Sequence, residues 1–424
     1  MTRRFNWAAA AVAAILASAP ACQAQTTSAP ASAASKDAAF QSLDASMHAL
    51  VDQGRLPGVA TYVVKGGKVI HQDIYGKADL TTGAPLKADT IYRIYSQTKP
   101  VTGVAMMMLY EEGKWSLDDP ITKFLPELAN LKVFKGVGAD GKTITEPAKR
   151  PATMRELMSH QAGFAYGLQV DNPVDKAYRD SGLLGSPTPE AFLKTLAALP
   201  LMGQPGEQWK YSVAVDLQGL IVERLSGKKL GAFMQERIFA PLGMVDTGFW
   251  LPAEKQGRLA SLYLVNPADK KVVPAQGFMV LDVTKQPAVE SGGGGLVSTT
   301  ADYAKFSQML LNGGELGGKR LLKPETVKLM RTNHLTEASL AKLPLGPGVG
   351  FGLDFATVMD PAKAGTPMGK DTYSWGGAAG TWFWIDPTND LFVLGMIQVL
   401  GRPDSDPRMD ALSAPSVYRA IHAH

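Results

Sequence analysis

Two β-rich stretches stand at opposite ends of this 424-residue chain, and a chain that must bury both in one core has few folds open to it. The first, Gly58 to Gly76, holds two β-forming runs on either side of Gly66-Gly67, the pattern of a tight hairpin. The second, Thr372 to Val399, has its turn at Asp386-Pro387-Thr388-Asn389. Residues 119–284 between them are helical and loop-rich, without a fixed repeat. The chain is therefore read as α/β (α+β), with a central antiparallel sheet built from both ends and flanked by helices. Its α/β part covers about 37–118 and 285–424, and a mainly helical subdomain is inserted over about 119–284. Phe40, Leu43, Met47, Leu50 and Val51 recur at helical spacing from Asp37 until Gly54, which predicts an amphipathic helix.

The N-terminus has the form of a secretory signal over residues 1–24. Arg3 and Arg4 precede an apolar run from Trp7 to Ala17 that is too short to span a bilayer, and Cys22-Gln23-Ala24 offers small residues for cleavage. Residues 25–36, rich in Ser, Ala, Thr and Pro, are expected to form a disordered linker, with one folded domain over 37–424. A secreted or periplasmic location follows. Lipidation of Cys22 is disfavoured, because Ala19-Pro20-Ala21 lacks a large aliphatic residue. Losing the signal removes two of 43 basic residues and none of 39 acidic ones, so the remainder is nearly neutral and no nucleic-acid partner is expected. Cys22 is the only cysteine, which excludes a cysteine nucleophile, a disulfide framework or a thiolate metal site. The histidines form no H-E-x-x-H or comparable cluster, so neither a metal nor another cofactor is expected.

Ser96-Gln97-Thr98-Lys99 leads into a run in which Val101, Val104, Met108 and Leu109 share a helical face until Gly113, and Pro100 suits a first helical turn. Residues three apart on a helix face one another, so the Ser96 hydroxyl and the Lys99 amine can meet. A serine needs such a base to become a nucleophile. The pattern alone is weak: Ser226 with Lys229 and Ser339 with Lys342 also match it, and both read as polar helix ends. Context separates the three copies. Downstream come Thr153 to Phe164, the tyrosine element Pro205-Gly206-Glu207-Gln208-Trp209-Lys210-Tyr211-Ser212, the glycine run from Ser291, and Ser374-Trp375-Gly376-Gly377.

These landmarks, in this order over about residues 40–400, resemble the serine β-lactamase and penicillin-binding protein superfamily, in its class C-like branch. Neither S-D-N nor K-T-G occurs. Tyr211-Ser212 is followed by Val213 where class C enzymes have asparagine, and Trp375-Gly376-Gly377 replaces the K-T-G element. Both departures are similar to the family VIII carboxylesterases. Losing that lysine forfeits a charge-assisted hydrogen bond to a substrate carboxylate, which favours neutral acyl esters over β-lactams.

The resemblance implies Ser96 as nucleophile, with Lys99 and Tyr211 as proton-transfer groups. It also implies the backbone N–H groups of Ser96 and Ala378 as oxyanion donors, and Trp375, Gly376 and Gly377 as substrate-binding residues. The substrate would be a small acyl ester. The alternatives are an amide-directed hydrolase of the same fold (β-lactamase, DD-peptidase, D-aminopeptidase or short-peptide hydrolase) and a penicillin-binding module that does not turn over. Oligomeric state is not legible. His160 is read as structural, since no G-x-S-x-G elbow accompanies it. Gly292 to Gly295 is read as a tight loop beneath the site, Met106 to Met108 as core filling, and Asp216 as a structural hydrogen-bonding group.

Overall fold

The computed structural model describes residues 33–277, 280–403 and 406–423. The expected signal, Cys22 and most of the expected linker lie outside them. The first helix, α1 (Ala33–Asp52), begins ahead of the expected start at Asp37. Among the described residues no helix is long and apolar enough to cross a membrane.

The two chain ends do build one sheet. Strands β1 (Gly58–Lys65) and β2 (Lys68–Gly76) form the N-terminal hairpin. Its turn residues Gly66 and Gly67 have φ of 57° and 68°, the left-handed conformation that a type I′ hairpin turn requires of both. The C-terminal strands are β3 (Val349–Phe351), β4 (Ala356–Val358), β5 (Tyr373–Gly376), β6 (Trp382–Asp386) and β7 (Leu391–Met396). The order is β3-β4-β5-β6-β7-β1-β2, antiparallel throughout. The two ends meet where β1 pairs with β7, from Ala60 opposite Met396 to Lys65 opposite Leu391.

Side chains alternate across this sheet with the period of the strand. Val59, Val63, Trp382, Trp384, Leu391 and Val393 face one apolar cluster, shared with Phe40, Leu43 and Met47 of α1 and with Val417 and Tyr418 of the C-terminal helix Met409–His422. Ala60, Val64, Phe383, Ile385, Phe392 and Leu394 face the other, larger cluster. That second cluster takes in α2 (Lys99–Glu111), α3 (Met154–Met158), α4 (Ala214–Ser226) and α5 (Thr300–Leu311). Lys99 to Leu109 are buried without interruption, so α2 is a core helix on all sides and not only on the predicted apolar face. Met106 and Met107 are fully enclosed, as expected of core filling.

No strand of the seven-stranded sheet comes from residues 119–284. That stretch is not purely helices and loops, however: Lys132–Val137 and Thr143–Pro147 pair as an antiparallel hairpin. Its alternating side chains are mostly exposed, which gives the sequence little apolar periodicity to read.

Candidate active site

The nucleophile candidate sits at an abrupt change of direction. Tyr92–Arg93 pairs with Val297–Ser298, and Tyr95 then takes φ of 44°, a left-handed conformation rare for a bulky residue. Ser96 follows within a 3₁₀ turn, Tyr95–Thr98, and Lys99 opens α2. The sequence predicted a shared helical face. The tighter 3₁₀ turn brings residues three apart closer still to eclipsing. Lys99 is 1% exposed. Its Nζ lies 3.2 Å from Ser96 Oγ and donates to the Gly293 carbonyl at 2.6 Å. It also stands 4.6 Å from the Tyr211 ring centroid and 5.0 Å from that of Tyr166, on which a cation is favoured.

The Tyr211 hydroxyl donates to Ser96 Oγ at 2.6 Å. Its ring is stacked on Tyr166 (centroids 5.3 Å, 17° between planes) and packs against Trp375 at 5.4 Å and His160 at 5.0 Å. The segment bearing His160 and Tyr166 is anchored by α3. Thr153 and Glu156 cap that helix reciprocally, and Arg150 grips the Glu156 carboxylate with both terminal nitrogens. His160 itself is fully buried at φ of 58°. Its Nδ1 is 3.2 Å from Ser212 Oγ, and its carbonyl accepts from the Lys210 N–H at 2.8 Å. Burial, and then the charge of Lys99, hold its pKa well below the usual 6.5, so the ring is neutral. It braces the tyrosine segment and makes no contact with Ser96 in the hydrogen bonds of the described residues, as expected of a structural histidine.

The third element closes the site from the sheet. After β5 the chain turns, with the Gly377 N–H donating to the Thr381 carbonyl and the Gly380 N–H to the Gly377 carbonyl, both at 2.8 Å. Ala378 is exposed at the tip of this turn. A side chain at Gly377 would collide with the carbonyl of Ile94, two residues before Ser96, and with the Thr381 hydroxyl. The turn is therefore pressed against the backbone that leads into Ser96. Trp375 is half-buried between Tyr211 and Phe351.

Behind Lys99 lies the glycine loop. Thr102 Oγ1 donates to the Gly292 carbonyl at 2.8 Å, and Asp216 Oδ1 accepts from Ser291 Oγ at 2.5 Å and from the Gly293 N–H at 3.2 Å. The loop is thus laid across α2 and α4 beneath the site, as predicted. The other two serine–lysine pairs are elsewhere. Ser226 ends α4, and Ser339 lies near the end of the short helix Glu337–Leu340, buried there with its hydroxyl donating to the Gly206 carbonyl at 3.3 Å. Among the described residues, no group of three or more His, Cys, Asp or Glu could hold a metal ion.

The model of one protein family, described as Beta-lactamase, matches residues 43–416. The chain belongs to the Beta-lactamase family. Within it, the chain is 40% identical over 361 residues to protein Rv1367c of Mycobacterium tuberculosis, covering 84% of this chain and 88% of that protein. It is 33% identical over 388 residues to Esterase EstB of Burkholderia gladioli, covering 85% and 93%. The solved structure of EstCE1, described as a hydrolase with promiscuous acyltransferase activity, superposes with a TM-score of 0.75 at 26% identity over 90% of this chain and 99% of that one. This is a β-lactamase-fold serine hydrolase family with esterase and acyltransferase relatives.

Both sequence departures noted in this Beta-lactamase family member are visible in space. Val213, in place of the asparagine, is wholly buried, and Trp375, at the start of the third element, presents an aromatic wall beside Tyr211. Tyr166 and the Gly293 carbonyl went unrecognised in the sequence. Nothing in Phe164-Ala165-Tyr166-Gly167 signals a ring stacked on Tyr211, and any residue can supply a backbone carbonyl.

Proposed function

We propose that the protein hydrolyses neutral carboxylic esters through an acyl-enzyme on Ser96. The observation that carries this reading is the convergence of Tyr211 Oη and Lys99 Nζ on one oxygen, Ser96 Oγ. In the forward step Oγ bonds to the ester carbonyl carbon, and its proton passes to the Lys99/Tyr211 pair. The tetrahedral oxyanion is held by the N–H groups of Ser96 and Ala378. Its collapse breaks the bond to the leaving alkoxide, which takes a proton from the same pair. Water then passes a proton to the same pair as its oxygen bonds to the acyl carbon, the bond from that carbon to Oγ breaks, Oγ takes a proton back from the pair, and the acid departs. Trp375, Gly376 and Gly377 line the substrate side. Tyr211 and Trp375 share an apolar cluster with the half-buried Val349 and Leu340 and the buried Phe351 and Leu335, an apolar border suited to an uncharged acyl or alcohol group.

Hydrolysis of short p-nitrophenyl esters by the wild type and by Ser96→Ala tests the proposal, with intact-mass detection of the acyl adduct. Activity that survives the substitution sinks it. Rapid turnover of nitrocefin or a D-Ala-D-Ala peptide without esterase activity would move the assignment to an amide-directed hydrolase. Stoichiometric penicillin labelling without turnover would make it a binding module. Transfer to an added alcohol is a second reading of the same acyl-enzyme, favoured by the likeness to EstCE1. Secretion through residues 1–24 belongs to the proposal.

A further inference from the structure

The buried carboxylate of Asp216 is not among the groups that the proposed chemistry uses, yet it is tied to them. It lies on α4, 4% exposed, five residues beyond Tyr211 in the chain. Both hydrogen bonds that it accepts come from the glycine loop, through Ser291 Oγ and the Gly293 N–H. The carbonyl of that same Gly293 receives the Lys99 amine at 2.6 Å. There is no slack in this arrangement. A side chain at Gly293 would run into the Asp216 carboxylate, and one at Gly292 would run into the Val215 carbonyl and Thr102. Asp216 Oδ2 is buried and has no hydrogen-bond partner among the described residues.

We infer that Asp216 is a positioning residue for Lys99: it fixes the Gly293 peptide that aims the amine at Ser96 Oγ, and it supplies a buried negative charge to the same cluster. The inference rests on the proposed serine-hydrolase reading. Its geometric half is the chain Asp216, Gly293 N–H, Gly293 carbonyl, Lys99 Nζ, Ser96 Oγ. Its electrostatic half is the attraction between the two charges: burial raises the Asp216 pKa, and the charge of Lys99 opposes that rise. When Lys99 takes the serine proton, Asp216 stabilises the resulting ammonium. The other titratable groups around the pair are Tyr166, whose ionisation Asp216 opposes, Tyr211 against Lys99, and the buried His160 and Asp354, both of which sense the Lys99 charge.

The test uses p-nitrophenyl acetate with wild type, Asp216→Asn, Asp216→Ala, Ser291→Ala and Ser96→Ala. Asp216→Ala removes the acceptor and should lower kcat on the order of 100-fold, with KM altered less than about threefold, since the lost group acts on proton transfer. Asp216→Asn keeps an oxygen for the Gly293 N–H and should recover most of kcat. It lacks the anion, so the acid limb of its kcat/KM profile should move to lower pH by about half a unit or more. Ser291→Ala leaves both the Gly293 link and the charge, and its limb should coincide with the wild type. Wild-type kcat and pH profile in Asp216→Asn or Asp216→Ala, with only a lower melting temperature, would overturn the inference and leave Asp216 a structural prop. If Asp216→Ala does not fold, the limb of Asp216→Asn decides alone. Ser96→Ala separates the two claims: its survival refutes the hydrolase reading, whereas an unshifted Asp216→Asn with an inactive Ser96→Ala refutes only this one.

Discussion

Tyr211 and Ser96 are 115 residues apart in the chain, and the phenol hydroxyl of the one donates to the Oγ of the other at 2.6 Å. Tyr211→Phe removes that hydroxyl and keeps the ring that packs on Tyr166 and Trp375. Esterase kcat should fall between about 10²-fold and 10⁴-fold. Urea unfolding should change by less than about 1 kcal/mol, a separation that steady-state kinetics and denaturation curves will show.

Lys99→Met keeps an unbranched chain in the same buried slot and removes the amine. The Gly293 carbonyl loses its donor, at a cost of about 1–3 kcal/mol, while a desolvated amine is no longer buried, and the two effects oppose each other. The variant should fold with stability near wild type. Intact-mass measurement after incubation with a p-nitrophenyl ester should show no acyl adduct within the time in which the wild type turns over.

Gly377→Ala sets a methyl group against the Ile94 carbonyl and the Thr381 hydroxyl. Both are fixed, one by the backbone and the other by its bond to that same carbonyl at 3.4 Å. Overpacking of this kind costs about 1–3 kcal/mol. Displacing the turn moves the Ala378 N–H, so kcat should fall by about 10²-fold to 10³-fold, as for loss of an oxyanion donor. Thermal unfolding and kcat measured on one preparation check both.

Asp354, fully buried at φ of 65°, accepts from Gln218 Nε2 at 3.0 Å. Asp354 Oδ2 and Gln218 Oε1 both lack partners among the described residues. Burial raises the pKa of this carboxyl well above 3.8, which favours the neutral acid. Because the folded-state value is the higher one, the stabilisation is complete below the unfolded value and is lost as pH rises through the folded one. Asp354→Asn mimics the neutral acid and tolerates the left-handed backbone. Its stability relative to wild type should grow with pH, by up to about 1.4 kcal/mol for each unit between the unfolded and the folded value and no further beyond it, in urea unfolding between about pH 5 and pH 9.

What the sequence revealed followed the range of each signal. The Gly66-Gly67 hairpin and the Ser96/Lys99 pair are local, written within a few residues, and both formed where expected. Tyr211 was legible through its neighbours Pro205 to Ser212, and the meeting of the chain ends through two matching β-rich stretches. The hairpin Lys132–Val137/Thr143–Pro147 escaped because exposed strands carry no apolar alternation. The left-handed Tyr95, the Gly293 carbonyl on Lys99 and the Asp354–Gln218 pair escaped because the surrounding fold imposes them, and no residue type announces them.

The pairing of β1 with β7 has a consequence for the birth of the protein. Residues 58–65 leave the ribosome long before their partner, residues 391–396. Ser96 and Lys99 thus emerge before the sheet can close, since contacts so distant in sequence form slowly and late. A nascent chain that has not reached residue 391 carries the Ser96 site unassembled.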